Sequence, residues 1–314
     1  MEFFTPGKFD FQFTKYFKIF AGFSLLCVLV SLVLLVAPGL NYGIDFRGGV
    51  EAHVAFKNNI DAAELRSVLD PKLSNVSIVN FSADASGRHE FLVTAQSESR
   101  ESVTKTLDEA LTAKYGAMGP DTWTVERMDM VGAKVGANLK RSAILSLIYT
   151  CLLVSLYMYW RFDSRFTPGA LACVFHDLIV VSGVIALTHM EFSTTLVAAL
   201  LTLAGYSIND TVVVFDRIRE IEGKFLGKSR EELVNHAITS TISRTIMTSA
   251  TTLVSCIIIY LKGGPTLRDF ATVLFVGIVV GTYSTVFVST PLFLWADKKF
   301  GTGASKPALK AGRA

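Results

Sequence analysis

The sequence predicts an α-helical membrane protein with six transmembrane helices and a ferredoxin-like α+β domain (βαββαβ) between helices 1 and 2. Three observations lead there. Of 314 residues, 51% are hydrophobic and mean hydropathy is +0.44, concentrated in long uncharged runs rather than spread evenly. Lys and Arg gather in alternate connections between those runs. Between the first two runs lies a segment of about 100 residues with strand alternation and amphipathic-helix periodicity.

Runs of spanning length, about 17–25 residues at 1.5 Å rise, fall near 17–37, 140–160, 167–188, 193–215, 240–261 and 269–295. The first follows Lys8, Lys15 and Lys18. "LLVAPGLNYG" after it lacks the small-residue cleavage pattern of a signal peptide, so a retained anchor is expected. The connection between spans 2 and 3 carries Arg161 and Arg165; that between spans 4 and 5 carries Arg217, Arg219, Lys224, Lys228 and Arg230. The tail adds Lys298, Lys299, Lys306, Lys310 and Arg313, whereas residues 189–192 hold no Lys or Arg. Both termini are therefore expected in the cytoplasm. The organisation read from this is 1–40 (N-terminus and helix 1), 41–139 (outer domain), 140–298 (five-helix bundle) and 299–314, a basic tail expected to be disordered.

Within the outer domain, "GVEAHVAFK" alternates as a half-buried strand, and "DAAELRSVLDP" reads as a helix capped by Asp61. "VSIVNFSA" and "HEFLVTAQ" read as strands flanking the turn "DASGR". "ESRESVTKTLDEALTAKYG" is an amphipathic helix ending at Gly116, and "TWTVERMDMV" is a last strand. The order βαββαβ is that of a ferredoxin-like sandwich.

Composition narrows function less than distribution does. The net charge of +3 gives no reason to expect a nucleic-acid partner. Cys27, Cys151, Cys173 and Cys256 all lie in apolar runs without metal-ligand spacing, so neither disulfide nor metal is expected. No cofactor motif is present either.

The informative residues are polar ones inside the spans. Asp210, in "GYSINDTVVVFDRIRE", lies seven residues before Arg217, about 10 Å along a helix and within the hydrocarbon zone. A charge there costs about 2.5–3.5 kcal/mol on insertion scales. Span 5 carries Arg244 among Ser240, Thr241, Thr248, Thr251, Thr252 and Ser255, a polar stripe unsuited to lipid. Span 6 carries Gly277, Gly281, Ser284 and Thr285, a small-residue stripe suited to close helix contact. On span 4, Thr202, Tyr206, Ser207 and Asp210 share a face. Span 3 adds His176 and Asp177, which resemble an imidazole–carboxylate relay. Adjacent helical residues diverge by about 100°, so each could equally bond to a neighbouring helix.

Two readings of Asp210 and Arg244 follow. They could form a buried ion pair that fixes helix register. Alternatively, dehydration favours the neutral acid and a movable guanidinium favours the carboxylate, so that proton uptake couples to helix position. A proton crossing the membrane supplies about 2.3 kcal/mol per 100 mV. On this second reading Arg244 tunes Asp210, while Tyr206, Ser207, Asn209, Thr248, Thr252, His176 and Asp177 are candidates to line the pathway. An enzyme is not expected. Asp177 and Asp210 lie on adjacent spans like an aspartyl-protease dyad, but no G-x-G-D precedes Asp210. H-E-x-x-H and G-x-x-x-x-G-K-[ST] are also absent.

One span, a large outer domain and five further spans match half of a transporter of the resistance–nodulation–division type. "NYGIDFRGGVE", "VGAKVG", "HD" at 176–177, "GYSINDTVVVFDRIRE", "SRTIMTSATT" and "GTYSTVFVSTP", in that order, resemble the SecF family, the smaller membrane subunits of SecDF protein-export complexes. One departure is Ala133, where the family commonly has Pro. The resemblance implies a SecD partner, the SecYEG translocon and a translocating preprotein at the bacterial inner membrane, with the proton as coupling ion. It places the family's proton-pathway carboxylate on Asp210 and its arginine on Arg244. Asp45, Gly48 and Gly49 match the motif after span 1, where glycines permit tight turns and Asp45 reads as structural. The second half of such a transporter would be SecD, with the working site between the halves. The alternative is a proton-coupled small-molecule or lipid exporter of the same superfamily.

Overall fold

The computed structural model describes residues 11–81, 88–97, 99–225 and 227–300. Most of the "DASGR" turn and the tail from 301 lie outside them. In chain order the elements are α1 (Phe13–Val36), β1 (Asn41–Tyr42), α2 (Ile44–Arg47), β2 (Gly49–Phe56), α3 (Ala62–Leu69), β3 (Ser77–Phe81), β4 (His89–Ala95) and α4 (Arg100–Tyr115). They continue as β5 (Trp123–Val131), α5 (Ala133–Arg161), α6 (Thr167–Leu187), β6 (Glu191–Phe192), α7 (Thr194–Ile221), α8 (Arg230–Lys262), α9 (Pro265–Ser284) and α10 (Thr290–Phe300). A π-helical turn, Thr285–Ser289, joins α9 to α10.

Among the described residues, six segments are long and apolar enough to cross a membrane: α1, α5, α6, α7, α8 and the α9–α10 run. Several extend past their apolar stretch. The start of α8 at Arg230 rather than near 240 is set by Ser229, whose hydroxyl accepts the Glu232 N–H at 3.1 Å. Glu231 and Glu232 fill the first turn, so capping and the helix dipole decide where the helix starts.

The α+β unit comprises 41–144 and 191–194. Its main sheet has the order β3-β4-β2-β5, every neighbour antiparallel. With α3 and α4 this is the ferredoxin-like arrangement. Alternate residues Val50, Ala52 and Val54 of β2 join Leu65, Leu107, Leu111, Phe91 and Trp123 in one apolar core. Asp61 caps α3 by accepting the Ala63 N–H at 3.2 Å. Ser99 caps α4 in the same way, and α4 stops at Gly116, whose φ is +90°. Trp123 buries its ring and donates its indole N–H to Gly116 O at 2.9 Å. A second, two-stranded sheet pairs β1 with β6 in parallel. The sequence reading has neither strand and treats 189–192 as a plain loop.

The helical unit comprises the described residues up to 40, 145–190 and those from 195 onward. At one end, Phe162, Phe166, Phe215 and Phe293 form an aromatic cluster, with Phe166 and Phe293 stacked at 4.6 Å. The same connections carry an ion-pair network. Arg165 reaches both Glu222 oxygens at 2.8 and 2.9 Å and Asp297 at 3.0 Å, and Arg230 bridges the same two carboxylates at 2.5 and 3.0 Å. Each of the two carboxylates thus meets both guanidiniums in charge-assisted hydrogen bonds.

Candidate functional site

The helical unit holds two polar groups of opposite character. The first centres on Asp177 of α6, only 1% exposed. Its Oδ1 meets His176 Nδ1 at 2.9 Å. Its Oδ2 accepts hydrogen bonds from Ser207 Oγ of α7 at 2.5 Å and Ser284 Oγ of α9 at 2.9 Å. Cys173 Sγ lies 3.0 Å from Ser284 Oγ, and the Thr211 and Thr285 hydroxyls meet at 3.2 Å. Three helices converge on one carboxylate. The close approach of α9 to α7 depends on Gly277, where a Cβ would lie 2.6 Å from Leu203 Cδ1. The π-helical turn begins directly after Ser284, a geometry that recurs at functional sites. His176 and Asp177 thus close the angle that separates neighbours on a helix.

The second group is unbonded. Asp210 is 3% exposed, and its Oδ2 is buried without a hydrogen-bond partner among the described residues. The Tyr206 hydroxyl, one turn earlier, and His176 Nε2 share that condition. The charge that acts on Asp210 belongs to Arg244 of α8. No carboxylate among the described residues comes within the 4.0 Å of an ion pair with it, and Arg244 is exposed on this chain. The register-fixing ion pair is therefore not formed here.

The stripe around Arg244 bonds mostly to its own helix. The Thr248 hydroxyl donates to the carbonyls of Arg244 and Thr245 at 3.0 Å, and the Thr252 hydroxyl to that of Thr248 at 2.9 Å. Such back-bonding satisfies a hydroxyl hydrogen within a turn. Ser249 instead reaches α9, 2.9 Å from the Thr282 hydroxyl. On α7, Thr202, Gly205 and Asn209 lie on one exposed face.

Asp45, Gly48 and Gly49 belong to the α+β unit. Gly48 has φ +75° and Gly49 φ +142°. A Cβ on Gly48 would lie 2.8 Å from Ala133 Cα, and one on Gly49 2.7 Å from Ala95 O, so side chains are excluded by conformation and by space. Asp45 Oδ2 accepts the backbone N–H of Thr194 at 2.8 Å and its hydroxyl at 2.7 Å.

In the same unit Glu191 lines a cavity of about 300 Å³ with Tyr42, Arg47, Thr94 and Gln96. Its Oε2 is buried without a hydrogen-bond partner among the described residues. Burial first, then the nearby Glu51 and Asp45 carboxylates, push its pKa up to about 7, against the Ile44 N–H and Arg47, which pull it down.

Sequence reasoning missed Cys173 and Thr211, the binding role of Ser284, and the whole of Glu191 and Thr194. Ser284 lay in the small-residue stripe that was noticed. Glu191 is the one charged residue in 190–200, a signal that a search for Lys and Arg passes over.

Two family models match. One is described as protein export membrane protein SecD/SecF, C-terminal, and covers residues 110–299. The other is the SecD/SecF GG motif, over residues 33–59. The protein translocase subunit SecF of Rhodothermus marinus is 38% identical over 91% of this chain and 92% of that protein. The protein translocase subunit SecF of Gemmatimonas aurantiaca is 34% identical, over 97% and 93%. Among solved structures, SecDF from Thermus thermophilus, described as a translocon-associated membrane protein, superposes with TM-score 0.83 at 35% identity, covering 92% of this chain. A SecDF structure in a super-membrane-facing form gives 0.68 at 36% identity and 95% coverage. This chain spans 39% and 40% of those two longer chains. The family models, these relatives and the shared fold agree, and the chain belongs to the SecF family of protein translocase subunits.

Proposed function

We propose that this chain is one half of a proton-driven machine which, with a SecD partner at the SecYEG translocon, uses the proton-motive force to assist preprotein export across the bacterial inner membrane. The observation that carries this reading is Asp210: a carboxylate inside a span, almost wholly buried, with one oxygen unpartnered and a guanidinium near but not bonded. A structural carboxylate would be saturated, as Asp177 is. An unsaturated one is free to gain and lose a proton, and Arg244 is placed to favour its charged form on approach.

The exposed polar surface supports a second half. Arg244, Asn209 and Thr202 are exposed on membrane-spanning helices, where lipid is a poor neighbour for them. A partner bundle carrying its own carboxylate would cover that face, and the SecDF chains of known structure are more than twice as long as this one. Tyr206, Asn209 and the oxygens of Thr248 and Thr252 would line the proton route. Ser207 and Asp177 hold the helices, and His176 Nε2 is a further acceptor beside them. The Lys and Arg distribution puts both termini in the cytoplasm and the α+β domain in the periplasm.

The test is export into vesicles with and without a proton gradient, for Asp210→Asn and Arg244→Met. Both variants are expected to assemble with the partner chain and to lose the gradient-dependent part of export. Normal gradient-dependent export by both would overturn the reading.

A further inference from the structure

Thr194 is the first residue of α7, and both its donors go to Asp45 Oδ2, 149 residues earlier in the chain. The first N–H groups of a helix lack partners within it and form the positive end of its dipole, so a carboxylate is the complementary cap. Ser193, immediately before the helix, is a residue of the local capping type, yet both bonds at Thr194 go to the distant acid.

The joint around this cap is tightly built. β1 and β6 pair Asn41 with Glu191 and Tyr42 with Phe192. The Gly43 N–H donates to Phe192 O at 2.9 Å, and the Phe46 and Phe192 rings stack at 5.6 Å. A Cβ on Gly136 of α5 would lie 3.2 Å from Phe46 C of α2. The four residues of α2 therefore touch the beginnings of both α5 and α7. They lead directly into β2, which sits between β4 and β5 in the sheet.

We propose that Asp45 is a positioning residue of the transport cycle, gripping the head of α7 so that axial movement of the helix carrying Asp210 is delivered through α2 to β2, an inner strand of the α+β domain's sheet. This rests on the proton-coupled reading above. From Thr194 to Asp210 the helix is a rod of about 24 Å, and a rod transmits axial displacement to whatever grips its end. Ordinary loop connections at 191–194 would dissipate it.

The test uses the full chain with its co-purifying partner, free of native cysteines, with spin labels at Lys105→Cys on α4 and Trp295→Cys on α10. Distances are measured at acid and alkaline pH. Glu191→Gln is the background throughout, because Glu191 titrates in the same joint. In the parent, the distance distribution is expected to shift with pH, and Asp210→Asn to abolish the shift. Asp45→Ala and Thr194→Val are expected to reduce it to less than half while the infrared band of Asp210 still titrates, and Thr194→Ser to restore it. A full shift in Asp45→Ala overturns the role of Asp45 and leaves the proton-coupled reading standing. A parent distribution that ignores pH overturns both. Should Asp45→Ala fail to assemble, Asp45→Asn and Thr194→Val decide: an undiminished shift in both overturns the proposal.

Discussion

Ser207 donates its hydroxyl to Asp177 Oδ2 at 2.5 Å, whereas Asp210, one turn further along the same helix, keeps an oxygen unpartnered in comparable burial. Two acids inside one bundle thus differ in what surrounds them.

Asp177→Ala removes the acceptor shared by His176, Ser207 and Ser284. Leaving those buried partners unsatisfied costs about 1–3 kcal/mol for each group, so thermal unfolding in detergent or lipid should occur at clearly lower temperature. Asp210→Asn loses no hydrogen bond at Oδ2, and its effect on stability is expected to be clearly smaller than that of Asp177→Ala. The same melting series measures both.

Gly277 faces Leu203 so closely that a Cβ would lie 2.6 Å from its Cδ1. Leu203 is fully buried and has little room to yield. Gly277→Val is expected to cost about 1–3 kcal/mol by overpacking. Leu203→Ala in the same chain should recover part of that loss, and a double-mutant cycle with no coupling would show that the two helices do not meet there.

Glu191 makes the α+β unit sensitive to pH. Its pKa is raised from 4.5 to about 7, so the folded unit holds the proton more tightly than the unfolded chain. Its favourable contribution is complete below about pH 4.5 and is lost as pH rises through about 7. The whole effect is at most about 3 kcal/mol. Hydrogen exchange of β2 amides, corrected for the intrinsic pH dependence of exchange, should show protection falling across this range in the parent. Glu191→Gln should flatten the profile.

The sequence carried the long-period information well. Asp61 announced α3, Gly116 ended α4, and six apolar runs announced six helices, because these signals are local and repeat over many residues. β1 and β6 were illegible because two residues have no period, and their pairing joins positions 150 apart. The beginning of α8 was lost to apolarity and was instead written in Ser229 and Glu232. Asp210 and Arg244 stood out because charge in an apolar run is conspicuous. The bonding of Asp177 could not be read, since it joins side chains of three helices and depends on their rotamers.

Infrared difference spectroscopy of the reconstituted complex, with Asp210→Asn as the subtraction control, reads the protonation of that one side chain. The account predicts a carboxylic-acid carbonyl band that grows as pH falls, vanishes as it rises, and moves its midpoint in Arg244→Met. A band of constant intensity at every pH, or none, would contradict it.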